Sequence, residues 1–541
     1  MTTVNNNHYD VIVIGGGITG AGTARDCAMR GLKVLLVERH DFSTGATGRN
    51  HGLMHSGARY AVTDHESAKE CIQENMILRK IAQHCVEETD GLFITLPEDD
   101  INFQATFVQK CTEAGISAEI IDPKQAILME PSVNPELIGA VKVPDASIDP
   151  FRLTMANVLD AQLHGAEVLV YHEVIDIIIE QDRMVGVKLR NNHNGETLDV
   201  YASVTVNAAG IWGALIAQMA GVKINMFPAK GSLLIFGHRV NNMVINRCRK
   251  PANADILVPD DAVCVIGTTS LRIPIEECDD MRVTPEEVED LLAEGMKLAP
   301  SLGSTRILRG YAGVRPLVAN DDDPSGRNIS RGIVTLDHEK RDGLAGFITI
   351  TGGKMMTYRL MAQEVTDLVC QKLNINKGCE TATTPLPGSE PKGETKRFSF
   401  SQKAAQGRHG TLNDTIERGE AASDALVCEC EGVSVGEVRY AVTKLHVHNL
   451  INLRRRTRVG MGTCQGELCA CRAAGVMCSD EDSAQKAIND LNGFINERWK
   501  GMQPVAWGDN LAEAQLTATI YQSLLGVDKL ANERRVEYYE I

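Results

Sequence analysis

From Tyr9 onward, apolar runs and glycine-punctuated polar stretches alternate in a strand–turn–helix–strand pattern. Residues 11–14 form an apolar run that stops at Gly15, as a buried strand does when it delivers its end to a turn. The Ala-rich stretch 19–30 predicts a helix, and the run 33–37, ending at Glu38, predicts a second strand. Helical spacing returns at 64–84 behind an acidic first turn, and at 149–165 between an Asp-Pro start and a Gly stop. Residues 166–174 predict a strand. Across 213–310, runs such as SLLIFG, ILVP and VCVIGTTS predict a mostly antiparallel sheet. Residues 381–424 are rich in Pro, Gly, Ser and charge and poor in periodicity, which predicts a linker holding one short helix. A Cys-rich stretch follows, and the tail carries Trp499 and Trp507 on one or two predicted helices.

The first turn carries chemistry. Gly15, Gly17 and Gly20 stand in G-x-G-x-x-G register between predicted strand and helix. The first glycine allows a tight turn, the second lets backbone approach a pyrophosphate, and the third lets helix pack on strand. The helix start turns its amides and the positive end of its dipole toward the phosphates. Glu38 stands about where an acid is expected to meet a ribose hydroxyl. Strand, glycines, helix, strand and acid together point to an adenine dinucleotide. Two later segments, VTVNAAGIW (204–212) and GFITITGGKMMTYR (346–359), repeat strand, Gly turn and helix start. Three strand ends returning to one ligand fit the long FAD better than NAD.

Composition narrows the partners. There are 55 basic against 71 acidic residues, a net charge of −16, which speaks against a nucleic-acid binder and against electrostatic docking on anionic lipid. The start, MTTVNNN, has neither the basic nor the apolar region of a signal peptide, and no apolar run approaches the roughly 18 residues of a membrane span. The expectation is a peripheral protein whose 15 cysteines are mostly reduced, except where clustered for a metal. Cys27, Cys111 and Cys264 read as ordinary buried small residues.

The motifs HSGARY, NAAGIW, AKGSL, GVRPL and GGKMMTYR, in this order over about residues 8–375, resemble the flavin-dependent glycerol-3-phosphate dehydrogenases and, more broadly, the glycine oxidase type of flavoprotein. That resemblance implies an α/β fold: a Rossmann-like FAD-binding domain interleaved with an antiparallel-sheet substrate domain, inserted at about 75–145 and 213–310. It implies FAD against Ile14, Gly15, Gly17, Ile18, Thr19, Gly20, Glu38, Arg39, Thr44 and Gly45. Val174 would touch the adenine end; Ala208, Ala209, Gly210, Trp212, Gly352, Gly353, Lys354 and Met355 would supply the later turns. Arg59, Arg315 and Lys354 would engage the phosphate or glycerol oxygens, with Tyr60 lining the pocket. Oxidising a carbinol carbon beside a phosphate ester requires cations for the dianion and a base for the hydroxyl proton. Arg359, in the same motif as Lys354, joins the candidate cations. The aerobic branch often has His after K-G-S, where this chain has Leu233, so His55 or His51 becomes the candidate base. A histidine that only orients the loop is the alternative for either. RNHGLMHSG also resembles flavoproteins that oxidise 2-hydroxy acids such as 2-hydroxyglutarate, which is the second reading.

Cys428 and Cys430 form C-x-C, thirty-three residues intervene, and Cys464 and Cys469 form C-x4-C. Four thiolates from two loops suit a [2Fe–2S] cluster, whereas zinc sites usually present C-x2-C pairs. Cys471 stands as a substitute ligand. Arg454, Arg455, Arg456 and Arg458 would either offset the cluster's charge or form a solvated basic face. The stretch 425–478 resembles the bacterioferritin-associated-ferredoxin type of [2Fe–2S] module, joined through a 376–424 linker and followed by a helical tail, 479–541. Flavin domain plus this module resembles the anaerobic branch of the dehydrogenase family. That resemblance implies sn-glycerol 3-phosphate as substrate, a second catalytic subunit, and a membrane-anchoring iron–sulfur subunit. It further implies electrons passed to a quinone, FMN as a candidate second flavin in the assembly, and a peripheral place on the cytoplasmic side of the inner membrane.

Overall fold

The computed structural model describes residues 7–318, 332–390, 399–419, 421–478 and 483–527. Its first sheet explains why three distant turns meet. Strand His8–Ile14 lies parallel to Val34–Val37 on one side and to Thr197–Asn207 on the other, and Phe347–Gly352 lies parallel to Thr197–Asn207. Ile14 is level with both Val37 and Asn207, and Asn207 with Thr349. Gly15, Glu38, Ala208 and the Gly352–Gly353 turn therefore leave the same carboxyl edge, where ligands of open parallel sheets bind. All the core strand residues Val11–Ile14 and Val34–Val37 are buried on both faces, which their unbroken apolar runs require.

The helix Ile18–Met29 packs back on this sheet. A Cβ on Gly20 would meet the Gly15 carbonyl oxygen at 1.9 Å, so only glycine lets helix and strand approach there. The predicted helices at 64–84 and 149–165 are His65–Ile81 and Pro150–Leu163, each capped by an aspartate, Asp64 and Asp149.

A nine-stranded sheet forms the second layer, drawing strands from Gly91–Thr95, Glu119–Ile121 and Gly139–Val143 and from six strands between Met226 and Val318. It is antiparallel except where Val244–Arg247 runs parallel to Gly91–Thr95. One expectation needs correction. The predicted strand 166–174 is two strands, Glu167–Leu169 and His172–Glu180, broken where Tyr171 takes φ 57°. GYAGVRPL lies within Ile307–Val318, a strand of the second sheet antiparallel to Met226–Phe236, and its far end brings Arg315 to the cavity.

The described part of the expected linker is packed. Helix Phe400–His409 buries Arg408 and His409, which converge on the buried Glu437 at 2.7 and 2.9 Å. It is the short helix expected within this stretch, and its ion pairs to Glu437 tie it to the Cys module. Beyond it, a short strand pair and the helices Val435–Lys444, Leu450–Thr457 and Cys469–Met477 make the Cys module, followed by Ser483–Met502 and Gly508–Ala518. One apolar core runs without interruption from Val11 and Leu36 to Leu453, Ala473 and Phe494, so the module is fused to the first domain.

Candidate active site

A cavity of about 510 Å³ lies where the carboxyl edge of the first sheet faces the second. Ile14, Gly15, Gly17, Ile18, Thr19, Glu38, Arg39, Thr44 and Gly45 line it, together with Val174, Ala208, Ala209, Gly210, Trp212, Gly352, Gly353, Lys354 and Met355. Gly20 lies behind this wall, where its missing side chain matters to packing. The residues fit FAD. Gly17 caps the first helix with no side chain of its own, which lets a pyrophosphate approach the helix N-terminus beside Thr47, whose Oγ1 accepts the Ile18 N–H. Glu38 accepts Gly16 N–H at 2.7 Å and His40 N–H at 2.9 Å, one on each carboxylate oxygen, and each oxygen keeps acceptor capacity for a ribose hydroxyl. Burial pushes the Glu38 pKa up against those two donors. Trp212 Nε1 is buried without a hydrogen-bond partner among the described residues, a donor left for a ligand. Arg39 stacks on the Trp212 ring at 4.6 Å and pairs with Asp279 at 2.6 Å, tying the two layers together beside the cavity.

His51, His55, Arg59, Tyr60 and Arg315 line the same cavity. The rings of His51 and His55 meet edge-on at 5.9 Å, those of His55 and Tyr60 at 5.4 Å, and Lys354 Nζ lies 4.6 Å over the Tyr60 ring. His51 Nδ1 accepts Leu53 N–H at 3.2 Å, which assigns the proton of the neutral ring to Nε2. Burial, then Arg315 and Arg59, push the His51 pKa down to about 3. Arg59 donates to Ala252 O at 3.1 Å and to Asp255 at 3.4 Å. Arg315 donates to Thr268 Oγ1 and to the Thr269 carbonyl. A Cβ on Gly231, the glycine of K-G-S-L, would stand 2.8 Å from Arg315 Nη2, so that glycine makes room for the guanidinium.

Arg359 goes elsewhere. It forms a buried bidentate pair with Glu74 at 2.5 and 2.8 Å, because helix Tyr358–Leu373 turns it toward His65–Ile81. Sequence reasoning missed Thr47, whose Oγ1 accepts Ile18 N–H at 3.1 Å, and Thr268 and Thr269, which hold Arg315. The polar end of VCVIGTTS was the one available signal for the latter.

In the Cys module the four thiols form one connected group. Cys469 reaches Cys428 and Cys464, and Cys464 reaches Cys430. Backbone N–H groups of Glu431 and Gly460 point at Cys428, and those of Leu468 and Gly466 at Cys464. The hydrogen bond from Cys469 and these amides pull Cys464 and Cys428 down, while the same hydrogen bonds push Cys469 up and burial pushes Cys430 up. Four close sulfurs with amide donors toward Cys428 and Cys464 are the kind of donor set an iron–sulfur cluster uses. Among the described residues no group of three or more His, Cys, Asp and Glu stands as around a single metal ion. Cys471 is exposed. Three of the arginines are held in ion pairs away from a solvated face: Arg455 and Arg456 pair with Asp41, and Arg458 with Asp149, Asp260, Asp261 and Glu431.

Residues 10–359 match the FAD dependent oxidoreductase family and residues 426–477 the BFD-like [2Fe-2S] binding domain. The chain is 62% identical over 536 residues to the anaerobic glycerol-3-phosphate dehydrogenase A subunit of Escherichia coli K12, covering 98% of this chain and 99% of that one. It is 60% identical to the protein of the same description from Haemophilus influenzae, over 96% of this chain and 93% of that one. The fold is that of the FAD-complexed glycerol-3-phosphate dehydrogenase of Bacillus halodurans, with a TM-score of 0.67 at 23% identity over 92% and 96% of the two chains. Glycine oxidase of Geobacillus kaustophilus shares it at a TM-score of 0.56 and 20% identity, over 73% and 100%. The chain thus belongs to the FAD-dependent oxidoreductase family and, within it, to the anaerobic glycerol-3-phosphate dehydrogenase A subunits that carry a BFD-like [2Fe–2S] domain.

Proposed function

We propose that this chain oxidises sn-glycerol 3-phosphate to dihydroxyacetone phosphate. The observation that carries the reading is the gathering of Arg59, Arg315, Lys354 and two histidines in the cavity that the three glycine turns open into. When bound, FAD supplies a two-electron acceptor. Arg315 and Arg59 hold the phosphate dianion, and their forks match its oxygens. His51, neutral with its proton on Nε2, donates to a substrate oxygen. His55 takes the hydroxyl proton as the carbinol carbon is oxidised. Lys354 stabilises the negative charge that develops on that oxygen.

Electrons leave through the Cys module to partner subunits and on to a respiratory quinone, with the chain peripheral on the cytoplasmic face of the membrane. The relatives' description as the A component of a multi-subunit enzyme supports an assembly of this kind. Among the described residues no helix is long and apolar enough to cross a membrane.

An anaerobic absorbance titration tests the reading. Glycerol 3-phosphate should bleach the bound flavin and 2-hydroxyglutarate should not. In Arg315→Ala the bleaching rate at low substrate should fall about 100-fold or more with FAD still bound, the order of loss when a charged hydrogen-bonding partner of substrate is removed. Bleaching by the hydroxy acid alone would replace the phosphate ester with a carboxylate substrate.

A further inference from the structure

The motif AKGSL lies within strand Met226–Phe236 of the second sheet. Successive side chains of a strand point to opposite faces, so Lys230 and Ser232 leave one face and Gly231 the other. Gly231 lines the cavity and makes room for Arg315. Lys230 and Ser232 reach instead to Glu287, in the first turn of helix Pro285–Leu298. Lys230 Nζ donates to Glu287 Oε2 at 2.7 Å, and Ser232 Oγ donates to Oε1 at 2.7 Å.

Glu287 is buried, and each of its oxygens is met twice. Oε2 also accepts the Thr284 N–H at 3.0 Å, which closes a capping box at the helix start. Oε1 also accepts the Thr269 hydroxyl at 2.9 Å. Burial works against the charge, but the donors from Lys230, Ser232, Thr284 and Thr269 outweigh it and hold the carboxyl below its ordinary value. Thr269 is clamped in turn. Its hydroxyl accepts the Ser232 N–H at 3.0 Å, and its own N–H donates to the Ser232 carbonyl at 3.4 Å. What remains is the Thr269 carbonyl, which accepts Nη1 and Nη2 of Arg315, each at 3.3 Å. An apolar pair of similar volume would join this strand and helix about as well as the buried Lys230–Glu287 pair. It would not orient a hydroxyl.

We propose that Glu287 is a positioning residue for the phosphate site: by fixing Thr269 it sets where the Arg315 guanidinium stands, without touching substrate. The inference rests on the reading of Arg315 as a phosphate ligand. The chain of bonds runs from Glu287 Oε1 through the Thr269 hydroxyl and carbonyl to Arg315. A planar fork matches phosphate oxygens only in one orientation, so a support that fixes its plane acts on substrate affinity.

Steady-state kinetics of the FAD- and cluster-loaded protein, run as a double-mutant cycle, tests this. Glu287→Gln should raise KM for glycerol 3-phosphate about ten-fold and lower kcat no more than about two-fold. Thr269→Val, which leaves Lys230 and Ser232 their carboxylate, should raise KM by a similar factor, and Thr269→Ser should restore most of the affinity. The dissociation constant of dihydroxyacetone phosphate, read by equilibrium dialysis, should rise with KM. In an Arg315→Ala background neither Glu287→Gln nor Thr269→Val should add more than about two-fold. Full flavin absorbance would show the variants folded, and if Glu287→Gln does not fold, the Thr269 variants decide. Unchanged KM in Thr269→Val, or the same rise with and without Arg315, would overturn the proposal and leave the phosphate reading in place. Unchanged KM in Arg315→Ala alone would remove Arg315 from the phosphate, and the proposal with it.

Discussion

Asp41, at the end of the first dinucleotide-binding unit, accepts a hydrogen bond from Arg455 Nη1 of the Cys module at 2.8 Å, and Arg456 shares the same carboxylate. Asp41 and Arg456 are each 2% exposed at the side chain. Sequence neighbours of the four-thiol group are thereby anchored more than four hundred residues away.

This seam is testable through Asp41→Ala, which strands two guanidiniums in a dry interface. Breaking a buried pair by removing one partner costs about 3–5 kcal/mol. The expected result is a lower melting temperature with earlier release of the cluster. Burial works to raise the Asp41 pKa, but Arg456 and Arg455 outweigh it and hold the carboxyl below its ordinary value. The contribution is therefore full above an unfolded pKa of about 4 and drains away as pH falls through the folded value.

His51 has the opposite chemistry but the same direction. Its folded pKa is about 3, chiefly through burial, against about 6.5 in the unfolded chain, which therefore binds the proton first as pH falls. The stability this neutral ring contributes is present above pH 6.5 and is lost between there and pH 3. His51→Asn should reduce the slope of unfolding free energy by about 1.4 kcal/mol per pH unit between pH 6 and 4. Denaturant titrations at several pH values measure that slope, and an unchanged slope would show that His51 is not buried neutral.

Gly231 is a small residue with a large predicted effect. In Gly231→Ala the new methyl would crowd Arg315 Nη2, and the guanidinium would have to shift. Misplacing a substrate-binding group by about 1 Å costs on the order of 10–100-fold. Steady-state kinetics should show the loss in KM for glycerol 3-phosphate, with FAD content unchanged. A variant with normal KM would remove Arg315 from the phosphate.

Cys464→Ser should abolish the visible iron–sulfur absorption, whereas Cys471→Ser, which changes an exposed side chain, should keep it. Flavin bleaching by substrate should survive in both. Loss of absorption in Cys471→Ser would make that residue a ligand.

The dinucleotide unit was legible at once, since strand, glycine turn, helix and acid are contiguous and each obeys a local steric or hydrogen-bonding rule. The cluster module was legible too, because four cysteines gathered within about forty residues have few other reasons to cluster. Arg315 and Arg359, by contrast, read alike as candidate cations. Only packing separates them: a glycine on a neighbouring strand opens space for the first, and Glu74 on a facing helix captures the second.

The apolar periodicity, glycine spacing and cysteine spacing of this chain thus determined its cofactor-binding start, its sheet-rich middle and its cluster module, since those features depend on residues near in sequence. Tertiary structure alone decided which arginines face the cavity and which lock the module to the flavin domain. An ion pair is set by where two side chains end in space. A guanidinium carries no mark in the sequence of the carboxylate it will meet.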